Sequence, residues 1–146
     1  APDCHPEGAQ FEMGKGMVVR EGSDVTIIAC GLMVSTAVAA AEKLAEKGIQ
    51  ARVVDMYCIK PIDAELIEAC AKETGAVVTA EEHSVIGGLG GAVAEVLAKA
   101  GCAVPTEMVG MQDRHGESGP YAALLKKYGL DADAVAAAAE RAVSRK

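Results

Sequence analysis

Residues 79–101, TAEEHSVIGGLGGAVAEVLAKAG, set Glu81, Glu82 and His83 ahead of Gly87, Gly88, Gly90 and Gly91, and a helix-forming run follows directly. Three readings fit these residue types. A carboxylate beside an imidazole can move a proton, because the anion raises the imidazole pKa and neighbours on a loop can converge. A glycine-rich turn that feeds a helix can hold a phosphate on its first backbone amides. The third reading is a tight strand-to-helix connection whose glycines permit positive φ and close helix-to-sheet packing. The dinucleotide fingerprint G-x-G-x-x-G is incomplete, since Gly88 and Gly90 supply its first two positions and Val93 stands at the third. No nucleophile or oxyanion donor is tied to Glu82 and His83, which favours surface or interface polarity for that pair.

A second polar cluster, MQDRHGESGPY (111–121), carries Asp113, Arg114, His115, Glu117 and Ser118. Ser118 lacks the G-x-S-x-G setting of a nucleophile elbow and reads as a helix cap ahead of Gly119-Pro120. Arg114 can pair with Glu81 or Glu82 if the two loops meet, and such a network is more often structural than catalytic. A third stretch, DMYCIKPID (55–63), ends a strand at Asp55 and leads through Lys60-Pro61 into a helix; nothing in it forces chemistry.

The elements that must position these residues alternate. Near-continuous apolar runs, DVTIIAC (24–30), ARVVDM (51–56), AVVTAE (76–81) and PTEMVGM (105–111), read as strands buried on both faces. Helical patterns fill the gaps. Residues 35–48 are capped by Ser35 or Thr36, stop at Gly48 and turn Val38, Ala41, Leu44 and Ala45 inward. Residues 63–75 start at Asp63 and bury Leu66, Ile67, Cys70 and Ala71. Residues 91–101, 120–129 and 131–146 complete the set, with Pro120 suited to a first turn and Gly129 to a stop. This is the pattern of βαβ units: an α/β fold with a mostly parallel sheet and helices on both faces. Residues 1–16, rich in Pro, Gly and polar groups, read as a linker, and residues 17–146 as one domain.

The 146 residues suit one core, and 51% of them are hydrophobic, mostly Ala and Val with no Trp and one Phe. The formal net charge of −7 argues against nucleic acid or an anionic membrane as partner. Charged residues interrupt every apolar run before it reaches membrane-spanning length. The opening APDCHPEGAQ has neither a signal peptide's features nor an initiator Met, so a piece of a longer chain is expected. Five cysteines, Cys4, Cys30, Cys58, Cys70 and Cys102, are odd in number and widely spaced without C-x-x-C. They suit reduced thiols in a cytoplasmic protein rather than a disulfide framework or zinc site, and Cys4-His5 alone does not complete a tetrahedral metal site.

Longer stretches carry a resemblance. EGSDVTIIACGLMVSTAVAAAEKLAEKGIQARVVDMYCIKPID and VVTAEEHSVIGGLGGAVAEVLA resemble the C-terminal domain of the transketolase family. DRHGESGPYAALLKKYGLDADAV is similar to the ending of the C-terminal subunit of split bacterial and archaeal transketolases, although His115 stands where an aromatic precedes G-E-S-G. PEGAQFEMGKGMVVREG resembles the junction from the pyrimidine-binding domain. The resemblance covers nearly the whole chain. It implies three α/β/α layers around a five-stranded, mostly parallel sheet whose first strand, MVVR (17–20), is antiparallel.

It also implies a parent enzyme that moves two-carbon units between sugar phosphates, as in the pentose phosphate pathway, using thiamine diphosphate and Mg. Two upstream domains, or an N-terminal subunit, hold the pyrimidine, diphosphate and metal, and the full enzyme is a homodimer. No G-D-G…N signature is present, and the family's catalytic glutamate and histidines have no matching positions. The resemblance therefore assigns this chain no catalytic, cofactor or metal residue. It leaves Glu82, His83, Gly87, Gly88 and Gly90 as a contact or anion-binding loop, and Asp113, Arg114, His115 and Glu117 as an interface or structural cluster. Packing, dimer contacts or regulation is the implied role. 1-Deoxyxylulose-5-phosphate synthase and the 2-oxoacid dehydrogenase β-subunits share the domain, the latter using it for assembly. A stand-alone ligand-binding α/β module is the remaining reading.

Overall fold

A computed structural model describes residues 4–84, 88–111 and 130–146. The helix expected at 120–129, Gly87, and the cluster Asp113, Arg114, His115 and Glu117 lie outside these residues.

Five strands form one sheet: β1 (Met17–Arg20), β2 (Val25–Ala29), β3 (Ala51–Asp55), β4 (Val77–Ser84) and β5 (Thr106–Met111), in the order β1-β3-β2-β4-β5. β1 runs antiparallel to β3, and the other pairings are parallel. Among the described residues four helices accompany them: α1 (Met33–Glu46), α2 (Ala64–Thr74), α3 (Leu89–Ala100) and α4 (Ala132–Ser144). The layered α/β/α arrangement with an antiparallel first strand is the one expected.

β2 shows why such runs lack polar alternation. Ile27 faces α1 and α4 while Ile28 faces α2 and α3, so every one of its residues is buried. The first layer packs small residues closely. Ala37, Ala40 and Ala41 of α1 and Ala138, Ala139 and Ala142 of α4 belong to one core with Val25 and Val53. The second layer gathers Val54, Val77, Ile67, Val93 and Leu97.

Several local expectations shift. α1 starts at Met33, ahead of Ser35 and Thr36; its cap residue Leu32 makes no side-chain cap, and Ser35 Oγ instead donates to the Leu32 carbonyl at 3.1 Å. Burying Met33 and Val34 draws the first turn forward, so Val38 and Ala45 end half-buried while Ala37 and Ala40 take the core face. Asp63 caps α2 as expected, and Thr74 joins Ile67, Cys70 and Ala71 in its buried stripe while Leu66 stays at the margin. β4 continues to Ser84 and α3 starts at Leu89, which shortens the connection between them from both sides.

From β2 the chain moves out to β3 and then crosses back over β2 to β4. The winding therefore reverses between β3 and β4 about β2, and open α/β sheets bind ligands beyond the carboxyl ends of strands at such a reversal.

Candidate functional site

The carboxyl ends of β2, β3 and β4 bring Cys30, Asp55, Glu81 and Glu82 to one edge. Because β4 runs on to Ser84, Glu82 lies within the strand rather than beyond it, and Glu81 is no longer its last residue. Glu81 is fully buried. Its Oε1 accepts the Leu89 amide at 2.7 Å and its Oε2 the Gly90 amide at 2.6 Å. These are the amides a bound phosphate would need, and a carboxylate of the same chain holds them. Charge-assisted bonds to a helix start also complement its dipole.

The glycines act through space rather than through special torsions. Gly88 is extended at φ −94°, and Gly90 belongs to the first turn of α3 without positive φ. The expectation of positive φ at these two residues is therefore corrected, and the close-packing part stands. A Cβ on Gly90 would come within 3.1 Å of Thr79 Oγ1 and Met108 Sδ and 3.3 Å of Glu81 Oε2. Gly88 lines an open groove of about 500 Å³ between α3 and the β3–α2 connection, with Ile59, Ile62, Ala92, Val96 and Lys99.

Glu82 is half-buried and faces the β2–α1 turn, where its Oε1 lies 3.9 Å from the position of a Cβ on Gly31. His83 is a strand residue of β4, with its side chain outside the described set, so the expected pair is represented by Glu82 alone. Cys30 follows β2. Burial, then the negative charges of Glu81, Asp55 and Glu82, push its thiol up to about 11 from 9.0. A thiol so shifted is a poor nucleophile near neutral pH.

Asp55, at the end of β3, is buried, and His5 Nε2 lies 2.5 Å from its Oδ2. His5 also meets Phe11 edge-on, and Phe11 meets Tyr57 in the same way, at centroid distances of 5.0 and 4.9 Å. Further along the segment, the Glu12 amide donates to Tyr57 Oη at 2.9 Å and the Gly16 amide to Asp63 Oδ2 at 3.0 Å. Residues 4–16 are thereby fastened across the loop after β3.

Sequence reasoning missed three roles: Glu81 as the partner of α3, Asp55 as the partner of His5, and Thr79 as a buried hydroxyl. One signal was available, since a carboxylate ending an otherwise apolar strand must find a partner if it is buried. Among the described residues no group of three or more His, Cys, Asp or Glu side chains is placed to hold a metal ion. The edge combines carboxylates, one thiol whose pKa is pushed up, and the start of α3 held by Glu81.

The transketolase C-terminal domain profile matches residues 14–135. The chain belongs to the transketolase C-terminal domain family. This transketolase C-terminal domain is 48% identical over 140 residues to the 6-deoxy-6-sulfo-D-fructose transketolase subunit SqwH of Clostridium sp. (strain MSTE9), covering 96% of the domain and 43% of that protein. It is 50% identical over 130 residues to the putative transketolase C-terminal section of Methanocaldococcus jannaschii, covering 89% and 40%. With 1-deoxy-D-xylulose-5-phosphate synthase 1 of Geobacter sulfurreducens it shares 43% over 138 residues, 94% of the domain and 22% of that enzyme. A solved split-gene transketolase, described as an inactive β4 tetramer, superposes with a TM-score of 0.92 at 54% identity, covering 98% of the domain and 46% of that chain. The domain thus spans less than half the length of the relatives it matches. Among its described residues no helix is long and apolar enough to cross a membrane.

Proposed function

We propose that this chain is the non-catalytic C-terminal domain of a thiamine diphosphate-dependent transketolase. The full enzyme transfers two-carbon ketol units between sugars, and this domain serves packing, dimerisation or regulation in the cytoplasm. The observation that carries the reading is Glu81: at the carboxyl edge of the sheet, where α1, α2 and α3 all start, the glycine-rich start of α3 is closed by the chain's own buried carboxylate. The described residues do not fit thiamine diphosphate and its metal. A diphosphate at the start of α3 would meet the buried Glu81 carboxylate in place of free amides, so no chemical step is assigned to this domain. Residues 1–16 serve as the junction, and upstream domains or an N-terminal subunit supply cofactor and substrate binding. The net charge of −7 keeps nucleic acid and anionic membrane out of the partner set.

The relative named for a sulfonated fructose widens the donor class beyond the pentose phosphate pathway. A second reading, the C-terminal domain of a 1-deoxy-D-xylulose-5-phosphate synthase, is supported by the 43% identity to such an enzyme. The experiment is paired. Calorimetric titration of the 146-residue chain with thiamine diphosphate and Mg should give no binding. Ketol transfer from a panel of sugar phosphates and 6-deoxy-6-sulfo-D-fructose should appear only when the upstream polypeptide is added. Turnover or tight cofactor binding by this chain alone would sink the proposal. Formation of 1-deoxyxylulose 5-phosphate by the reconstituted protein would select the second reading.

A further inference from the structure

Thr79 and Glu81 stand two residues apart on β4, so the pleat turns both toward the same face, beneath the first turn of α3. Both are fully buried. From the point a Cβ on Gly90 would occupy, Thr79 Oγ1 lies at 3.1 Å and Glu81 Oε2 at 3.3 Å. Two donors, the amides of Leu89 and Gly90, hold the Glu81 carboxylate, and close to Gly90 lies the Thr79 hydroxyl, which has no hydrogen-bond partner among the described residues. Two consecutive amides opening a 12-residue helix, with a buried hydroxyl beside them, make up the donor set of an oxoanion site. The ligand is the feature that differs.

We propose that Glu81 is a tethered internal ligand of an oxoanion site. The site is closed to phosphate and phosphorylated sugars in the native chain, and cutting back Glu81 opens it to a small carboxylate. The missing Cβ of Gly90 leaves room for two planar oxygens. The additional oxygens of a phosphate would press on the Met108 sulfur, which lies 3.1 Å from the same point. Formate is therefore the probe of choice, and inorganic phosphate its control.

The test uses the 146-residue chain, followed by thermal unfolding and by the amide resonances of Leu89 and Gly90. In the native protein neither anion should shift these resonances saturably, and both amides should exchange slowly with solvent. Glu81→Ala should lower Tm on the order of 10 °C. Formate should restore it saturably and move both resonances, with phosphate and chloride restoring less. Thr79→Val in that background should weaken formate about tenfold, the worth of one hydrogen bond. If Glu81→Ala does not fold, Glu81→Gln decides: its amide group opposes a backbone N–H, so Tm and protection of both amides should fall. Saturable phosphate shifts in the native chain would overturn the proposal. So would equal rescue of Glu81→Ala by formate and chloride, or native Tm and protection in Glu81→Gln.

Discussion

Helices α2 and α3 cover the same face of the sheet, and each begins on a carboxylate bound to backbone amides, yet the two carboxylates are of different kinds. Asp63 is the residue next to α2 and bonds the Leu66 amide three positions on, at 3.1 Å. Glu81 belongs to the preceding strand, and its acceptors serve amides eight and nine positions on. The first caps its own helix with one oxygen and accepts the Gly16 amide with the other; the second bonds nothing in its own element and ties two elements together, sealed from water. A local cap stabilises the helix it starts. A buried tie also fixes where that helix sits on the sheet, and its loss leaves two donors without water to replace their partner.

The contrast can be broken most strongly at Glu81. Glu81→Met fills the volume but strands two buried amides, and should cost about 2–6 kcal/mol in urea denaturation, at 1–3 for each amide. A loss below that of a surface cap would end the distinction. Gly90→Ala tests the same tie by crowding: Thr79 and Met108 must give way, and a cost of about 1–3 kcal/mol is expected, with Met108→Ala relieving part of it. Asp63→Ala should cost about 0.5–2 kcal/mol for the cap alone, and Asp63→Asn or Asp63→Ser should recover that part but not the bond to the Gly16 amide. Asp131, which bonds the Ala134 amide at 2.9 Å at the start of α4, should show the local cap effect alone. An effect seen only at high pH concerns the edge around Glu81. The Cys30 thiol is held near 11 in the folded chain against its ordinary 9.0, so the unfolded state releases its proton first as pH rises. Stability should therefore decline between about pH 9 and pH 11 and by less in Cys30→Ser, as read from pH-dependent denaturation.

The same contrast explains what the sequence disclosed. Asp63 was readable because a cap and its amide lie within one helical turn. The parallel strands were readable because burial on both faces leaves unbroken apolar runs. The role of Glu81 was hidden because its partners lie across a connection whose geometry no local rule sets, and the glycines there mimic a phosphate loop. Ser35 and Thr36 looked like caps, but burying Met33 and Val34 outweighed their hydrogen bonds. The direction of β1 came with the family resemblance, since four residues of β-prone sequence do not encode orientation. The pairing of His5 with Asp55 spans fifty positions and leaves no periodic trace.

Asp63 does more than start α2. One of its oxygens holds the Leu66 amide and the other the Gly16 amide. In mechanical terms it is a rivet through two parts, and tension along residues 4–16 loads the same side chain that anchors the helix. A pull arriving at Gly16 would load the first turn of α2 through this one side chain.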